Sequence, residues 1–323
     1  MLYVSTRNKN DTFTAYRALH ETNAPDGGFY VPFRLPVFTQ DEISALRSQS
    51  CGDTIAQILN SFFGLRLTGW DVECKIGRYP FRTTIVNYRL IMAETWHNPG
   101  GSWDYLVRNL FQLIIGTEDH SSLPSGWPYI AVEIALFFGL FVSMEPVPCQ
   151  KMDAAVTSGD FADVVALSYA KDMGLPINIT VITSNENGAV WDFVKKGDFN
   201  TNASIVKTNL PHLDIPHPKY LEYFIFKTLG AREVQRYLES CQKKGIYHID
   251  EDMVALLGKT VFTAVVSSNR VDSIISSMYR TNQYSMDPYT ALAYGGLQDY
   301  RSRTGISNET LVLVKCKASR EKE

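Results

Sequence analysis

From about residue 150 onward this chain alternates β-rich and helix-patterned segments, and no other feature constrains its fold as tightly. A strand closes at Thr157, a helix is expected over 161–173, a strand over 178–184 and a short helix over 189–196. A loop containing prolines and histidines runs to Pro218, followed by helices over 218–227, 232–243 and 250–257. A strand over 260–266, helices over 269–280 and 288–302, and a last strand over 310–314 complete the series. Strands separated by helices pair in parallel beneath those helices, so the fold class is α/β with a helix-covered, mainly parallel sheet.

Upstream, helices are expected over 13–22, 40–48 and 53–63, the last with Ile55, Ile58, Leu59 and Phe62 on one face. Cys51-Gly52-Asp53 supplies a break and an N-cap before that helix. Residues 83–94 are β-rich through Ile85, Val86, Tyr88, Leu90 and Met92. Ser102 can cap a helix over 103–115 that Gly116 ends, and a short polar linker, 117–126, leads to an apolar helix over 128–142. That apolar stretch is 15 residues long and holds Glu133, so it reads as a buried core helix too short to cross a bilayer.

An apolar content of 45% and a charged content of 20% over 323 residues describe a soluble globular chain with a substantial core. The net charge of −3 gives no electrostatic reason to expect nucleic acid or an anionic membrane as a partner. Arg7, Lys9 and Asp11 interrupt any apolar run that a signal peptide would need. The five cysteines, at 51, 74, 149, 241 and 316, form no C-x-x-C and suit free thiols in a reducing cytoplasm. Six histidines show no paired ligand spacing, and His212 and His217 merely flank a proline-containing loop, so no metal site is expected.

Three blocks point further. The first is Tyr3-Val4-Ser5-Thr6-Arg7 with Ala24-Pro25-Asp26-Gly27-Gly28-Phe29-Tyr30-Val31-Pro32 and Leu35-Pro36. By its own chemistry Pro25-Asp26-Gly27-Gly28 is a turn, from which Phe29 and Val31 alternate into an edge strand. The second is Val156-Thr157-Ser158-Gly159-Asp160-Phe161-Ala162-Asp163 through Ile177, with Thr183-Ser184-Asn185-Glu186-Asn187 after it. The third is Tyr284-Ser285-Met286-Asp287-Pro288-Tyr289-Thr290-Ala291. In this order, over residues 1–115 and about 127–300, the blocks resemble the threonine synthases, enzymes of pyridoxal phosphate (PLP) fold-type II. The resemblance implies a threonine synthase-like N-terminal domain over 1–90 and a shortened PLP-enzyme core over 91–323.

In that family an H-G-P-T-x-x-F-K-D-F run carries the lysine that binds PLP. The similar stretch here is Trp96-His97-Asn98-Pro99-Gly100-Gly101-Ser102-Trp103-Asp104-Tyr105-Leu106, and no lysine occurs between Lys75 and Lys151. Counted from His97 the lysine position falls on Asp104, and with one loop residue deleted it falls on Trp103, so no catalytic residue is assigned. The family's small cofactor-side domain, with its T-S-G-D-T-G loop, has no room in the linker, and roughly a hundred residues, about one domain's worth, are missing. Tyr289 replaces the histidine of the family's D/E-P-H-T/S-A motif, and Lys315-Cys316-Lys317-Ala318-Ser319 replaces a T-A-H-P-A-K run. Near the cofactor only His97, Pro99, Ser158, Gly159, Phe161 and Asp163 match the family.

Ser158, Gly159, Asp160, Phe161 and Ala162 resemble the family's S-G-N-F-G phosphate loop, and with His97 they are the candidate cofactor-binding residues. A strand that turns into a helix aims backbone N–H groups at one point, and the helix dipole there favours an anion. The same residues also read as a plain cap, with Ser158 or Asp160 on the helix and Gly159 in the turn. Asp160 in the family's asparagine position adds a carboxylate where phosphate would sit, and Ala162 crowds a backbone amide. Two unit charges about 4 Å apart repel by roughly 4 kcal/mol at an effective dielectric of about 20. His97 reads either as a ligand-side histidine or as a loop histidine held by backbone, and Asp104 either as an acid–base group or as a helix-start carboxylate.

The resemblance so read implies a pseudoenzyme that does not convert O-phosphohomoserine to threonine and carries no PLP. Such a chain could keep a site for a phosphorylated small molecule, or act as a homo-oligomer or partner subunit through an apolar face lined by Trp103, Phe111, Phe137, Phe138 and Phe141. Alternatively, the helices over 103–115 and 128–142 fill the former cofactor space with these rings. A third reading is an active PLP- or phospho-ligand-dependent lyase using a lysine from elsewhere, such as Lys151 or Lys171.

Overall fold

The computed structural model describes residues 1–87, 89–117, 125–144, 151–315 and 317. Tyr88, Cys149, Cys316, residues 118–124 of the expected linker and the Ala318-Ser319 end of the C-terminal run lie outside the described residues. Two compact units interleave along the chain. The first comprises Met1–Thr83, Thr95–Pro148 and Val165–Pro176, and the second Thr84–Glu94, Cys149–Val164 and Ile177–Glu323.

The first unit opens with β1 (Leu2–Ser5), β2 (Phe13–Thr14), α1 (Ala15–His20) and β3 (Tyr30–Pro32). β1 lies between β2 and β3, antiparallel to both, so β3 is an edge strand as its alternation requires. The helix expected from residue 13 starts later because Phe13 pairs with Tyr3 and Thr14 accepts the Arg17 N–H as its cap. α2 (Gln40–Leu46) follows, closed by a reciprocal Thr39–Glu42 capping box. α3 (Cys51–Phe63) begins two residues before its expected start, capped by Ser50 and not by the Cys51-Gly52-Asp53 break. α4 (Gly69–Ile76) has no counterpart among the expected elements. α5 (Trp103–Ile115) runs from the Ser102 cap to Gly116 at φ +69°, both ends as the sequence requires.

α6 (Gly126–Ser143) is 18 residues, longer than the apolar run suggested, and by length and composition alone could cross a membrane. It is instead 83% buried. It packs on α3 and α5, and a Cβ at Gly139 would stand 2.8 Å from Ile55, so that glycine sets the α3–α6 approach. The expected apolar docking face is therefore core: Trp103, Phe111, Phe137, Phe138 and Phe141 are all buried. Only residues 116–125 separate α5 from α6, too few for the small domain.

Gly174, also of the first unit, sits at φ +111°, and a Cβ there would meet the Phe38 carbonyl at 2.4 Å. Gly174→Ala should cost about 1–3 kcal/mol in urea unfolding from backbone strain alone, and a shift within 0.5 kcal/mol of zero would show that the backbone adapts.

The second unit contains β4 (Arg82–Asn87), β5 (Leu90–Glu94), β6 (Met152–Thr157), the start of α7 (Ala162–Asp172), β7 (Ile177–Ser184) and α8 (Ala189–Lys196). β8 (Asp198–Asn200), α9 (Leu221–Leu229), α10 (Ala231–Lys244), β9 (Ile246–His248) and α11 (Glu251–Thr260) come next. β10 (Val261–Val265), α12 (Ser268–Asn282), α13 (Pro288–Thr304) and β11 (Thr310–Val314) complete it. Six strands form one sheet in the order β10-β7-β6-β11-β5-β4, with every pair from β10 to β5 parallel. β8 and β9 form a separate antiparallel ribbon. The long alternating half therefore folds as expected, and α13 covers β6, β7, β10 and β11. One edge of this sheet collects the C-terminal strand ends Glu94, Thr157, Ser184 and Val314, the edge at which α/β sheets bind ligands.

Candidate functional site

The turn from β6 into α7 stands at that edge. Ser158 N–H donates to the Thr183 carbonyl of β7 at 2.9 Å, and Phe161 N–H closes back on the Ser158 carbonyl at 2.9 Å. Gly159 takes φ +42°, and a Cβ placed on it would meet nothing within 4 Å. Phe161 was expected to begin the helix but has φ +77°, a rare conformation for so bulky a residue. It is held there by burial against the Phe224 ring, centroids 5.3 Å apart. The helix proper starts at Ala162.

The Asp160 carboxylate accepts the Ala162 N–H at 3.1 Å, while the Asp160 carbonyl accepts Tyr220 N–H at 3.0 Å. Of the two expected caps it is therefore Asp160 that bonds the helix start. Burial pushes the Asp160 carboxyl above the usual carboxylate range, against the Ala162 N–H, Lys315 and Lys219, while Asp163 adds to the rise. Lys315, one residue past β11, pairs with Asp163 at 2.8 Å, and the second Asp163 oxygen is buried without a hydrogen-bond partner. Lys315 is thus brought to this turn by an ion pair, and Lys219 by its neighbour Tyr220. Lys151 precedes β6 at the opposite end of the strand, and Lys171 lies in the last turn of α7.

Neighbouring strand ends carry fixed polar groups of structural kind. Buried Glu94, which the sequence reading had not singled out, accepts hydroxyls from Thr84 and Tyr284, each at 3.0 Å. Asn185 and Asn187, just past β7, tie the 201–214 loop through Asp214 at 2.7 and 3.0 Å. Burial raises the Asp214 carboxyl, but hydrogen bonds from Thr208, Asn185 and Asn187 bring it below the usual range. His217 pairs with the Tyr237 hydroxyl at 2.7 Å, and the His212 ring lies against Tyr289.

The remaining candidates belong to the first unit. His97 is exposed and stacks on Trp96, ring centroids 5.2 Å apart. The loop itself is built by Asn98, whose amide donates to Thr95 and Ser102 carbonyls at 2.6 and 2.9 Å and accepts Gly100 N–H at 3.0 Å. An Asn-Pro pair is a turn signal, and Asn98-Pro99 was legible as one. Asp104 projects into solvent from the first turn of α5. Trp103 points inward, 1% exposed, its indole N–H donating to the buried Glu133 of α6 at 3.0 Å and its ring against Phe81 and Phe137.

Residues 2–76 match the family described as "Threonine synthase N terminus". Threonine synthase of Saccharomyces cerevisiae is 25% identical over 182 residues, 51% of this chain and 35% of that protein. "Threonine synthase-like 1" of Pongo abelii is 26% identical over 145 residues, 44% of this chain and 20% of that protein. The chain thus spans about a third or less of these relatives' length. The solved PLP-bound threonine synthase of Brucella melitensis superposes with a TM-score of 0.84 at 19% identity, covering 98% of this chain and 89% of that one. At such identity the likeness is one of fold.

Proposed function

This chain is a threonine synthase-like family member, and on that premise we propose that it is a pseudoenzyme that has lost the PLP-dependent formation of threonine. One observation carries the reading: neither register of the lysine position offers an amine, since Asp104 faces solvent and Trp103 is packed beside Glu133. PLP forms its reactive adducts on a lysine amine, and that amine is what these positions lack. The β6–α7 turn fits the cofactor no better, because the Asp160 carboxylate already holds the Ala162 amide. A partner-subunit role would need a surface other than the buried aromatic face. The free thiols Cys51, Cys74 and Cys241 suit a cytoplasmic setting.

Purified protein supplied with PLP and reduced with borohydride should give no pyridoxyl-modified lysine by peptide mass spectrometry, and O-phosphohomoserine should yield no threonine. Threonine and phosphate released together would overturn the reading. The active-lyase alternative is favoured by one observation, the Lys315 ammonium at the turn. An adduct confined to Lys315, lost in Lys315→Met, would support it.

A further inference from the structure

We propose that Asp160 is the resident anion of the β6–α7 turn, with Lys315 and Lys219 as its counter-charges, so that the wild-type turn excludes phosphate monoesters which asparagine at this position would admit. The proposal goes beyond the pseudoenzyme reading, which rests on the missing amine, and it stands or falls separately.

The first four N–H groups of a helix have no partner within it and favour negative charge. The Ala162 N–H is the first of these on α7, and the Asp160 carboxylate takes it at 3.1 Å. The backbone around the carboxylate is fixed from both sides. The Asp160 carbonyl holds Tyr220 N–H, Phe161 N–H returns to Ser158, and Ser158 N–H is tied to β7. The chain's own hydrogen bonds therefore fix the turn, and a Cβ on Gly159 would meet nothing within 4 Å.

Among the described residues the charges named at the turn balance in number. Asp160 and Asp163 supply two carboxylates, while Lys315 and Lys219 both act electrostatically on Asp160. Lys315 is in addition committed to Asp163 at 2.8 Å. The unpartnered, buried Asp163 oxygen asks for a hydrogen-bond donor, which a fully ionised phosphate does not bring. A dianion entering here would face the Asp160 charge at close range and leave the cluster net negative. Asparagine removes one negative charge, keeps the side-chain shape, and retains an oxygen that can accept from Ala162.

The test compares full-length wild type with Asp160→Asn, titrated calorimetrically with inorganic phosphate and with pyridoxine 5′-phosphate. The second probe carries the phosphate and ring but no aldehyde, so lysine chemistry cannot contribute. Wild type should show no saturable binding up to about 10 mM, and the variant should bind at least about tenfold more tightly, in the low-millimolar range. Asp160→Ser, whose hydroxyl can also accept from Ala162, serves as a second variant should the first fail to fold. Adding Lys315→Met to either variant should remove the gain. Wild type binding either probe as tightly as the variants, or folded variants binding neither, would overturn the proposal. A borohydride-trapped adduct on wild type would count against the pseudoenzyme reading, whereas these titrations judge the turn alone.

Discussion

Trp103→Ala should destabilise the protein by about 3–5 kcal/mol, seen as a lower urea midpoint at an unchanged slope. The indole is 1% exposed and lies against Phe81 and Phe137, so its removal leaves a void that rigid neighbours fill only in part. Glu133, fully buried on α6, also loses the indole N–H at 3.0 Å, and a buried carboxylate deprived of a donor is costly. Trp103→Phe keeps most of the ring contact and removes the N–H, so wild type against Trp103→Phe reports chiefly the hydrogen bond, and the difference between the two variants reports the ring packing. Asp104→Lys should change stability by less than about 0.5 kcal/mol, because the residue is exposed. It should also give no PLP adduct, although it restores a lysine at one of the two family registers. A loss below about 1 kcal/mol for Trp103→Ala would mean that the ring is not packed as described. Of the two registers, only the one that puts Trp103 at the lysine position supplies a side chain facing the interior.

Much of the sheet was legible because its signals are local. β6, β7, β10 and β11 are short apolar runs separated by helix-patterned stretches, and α5 carries its own start and stop in Ser102 and Gly116. α4 escaped because Trp70 is 73% exposed and spoils the apolar stripe, leaving the Thr68–Asp71 capping box as its clearest mark. β8 and β9 have three residues each and gain meaning only by pairing across the intervening α9 and α10. The site was harder for the same reason. Ser158 to Ala162 can be read from their own neighbourhood, and their turn is where it was expected. Glu94 acquires its role from Tyr284, 190 residues away, and Lys315 from Asp163, so neither pattern exists until the sheet has formed. The aromatic residues of α5 and α6 show the converse case, in which the sequence left an exposed face and a filled core as alternatives. Their apolar stripe was real, but sequence could not say whether a neighbour covered it, and packing of α6 against α3 and α5 buries it.

Asp287→Ala should cost about 3–4 kcal/mol, whereas Asp287→Asn should cost less than about 1 kcal/mol. The family-like Asp287-Pro288-Tyr289-Thr290 motif opens α13, and one Asp287 oxygen accepts the Tyr289 and Thr290 N–H groups at 2.9 and 3.1 Å. The other oxygen takes the Thr290 hydroxyl. Alanine removes the cap and leaves buried donors unpaired at the head of the helix that covers β6, β7, β10 and β11. Asparagine keeps the oxygen that serves both amides, and its NH₂ can donate to the Thr290 hydroxyl in turn. Burial pushes the Asp287 carboxyl up, against hydrogen bonds from the Thr290 hydroxyl and the nearby backbone N–H groups. The folded protein therefore binds this proton more tightly than the unfolded chain, so stability falls as pH rises from the ordinary carboxylate value through the raised one, then levels. Asp153 and Asp160 are raised in the same direction, so Asp287→Asn should flatten this slope in part and not abolish it. A profile that overlays wild type would place the raised carboxyl elsewhere. An aspartate whose two oxygens are both engaged by the start of α13 serves the helix, and with Tyr289 beside it the motif keeps its architectural half without the family's histidine.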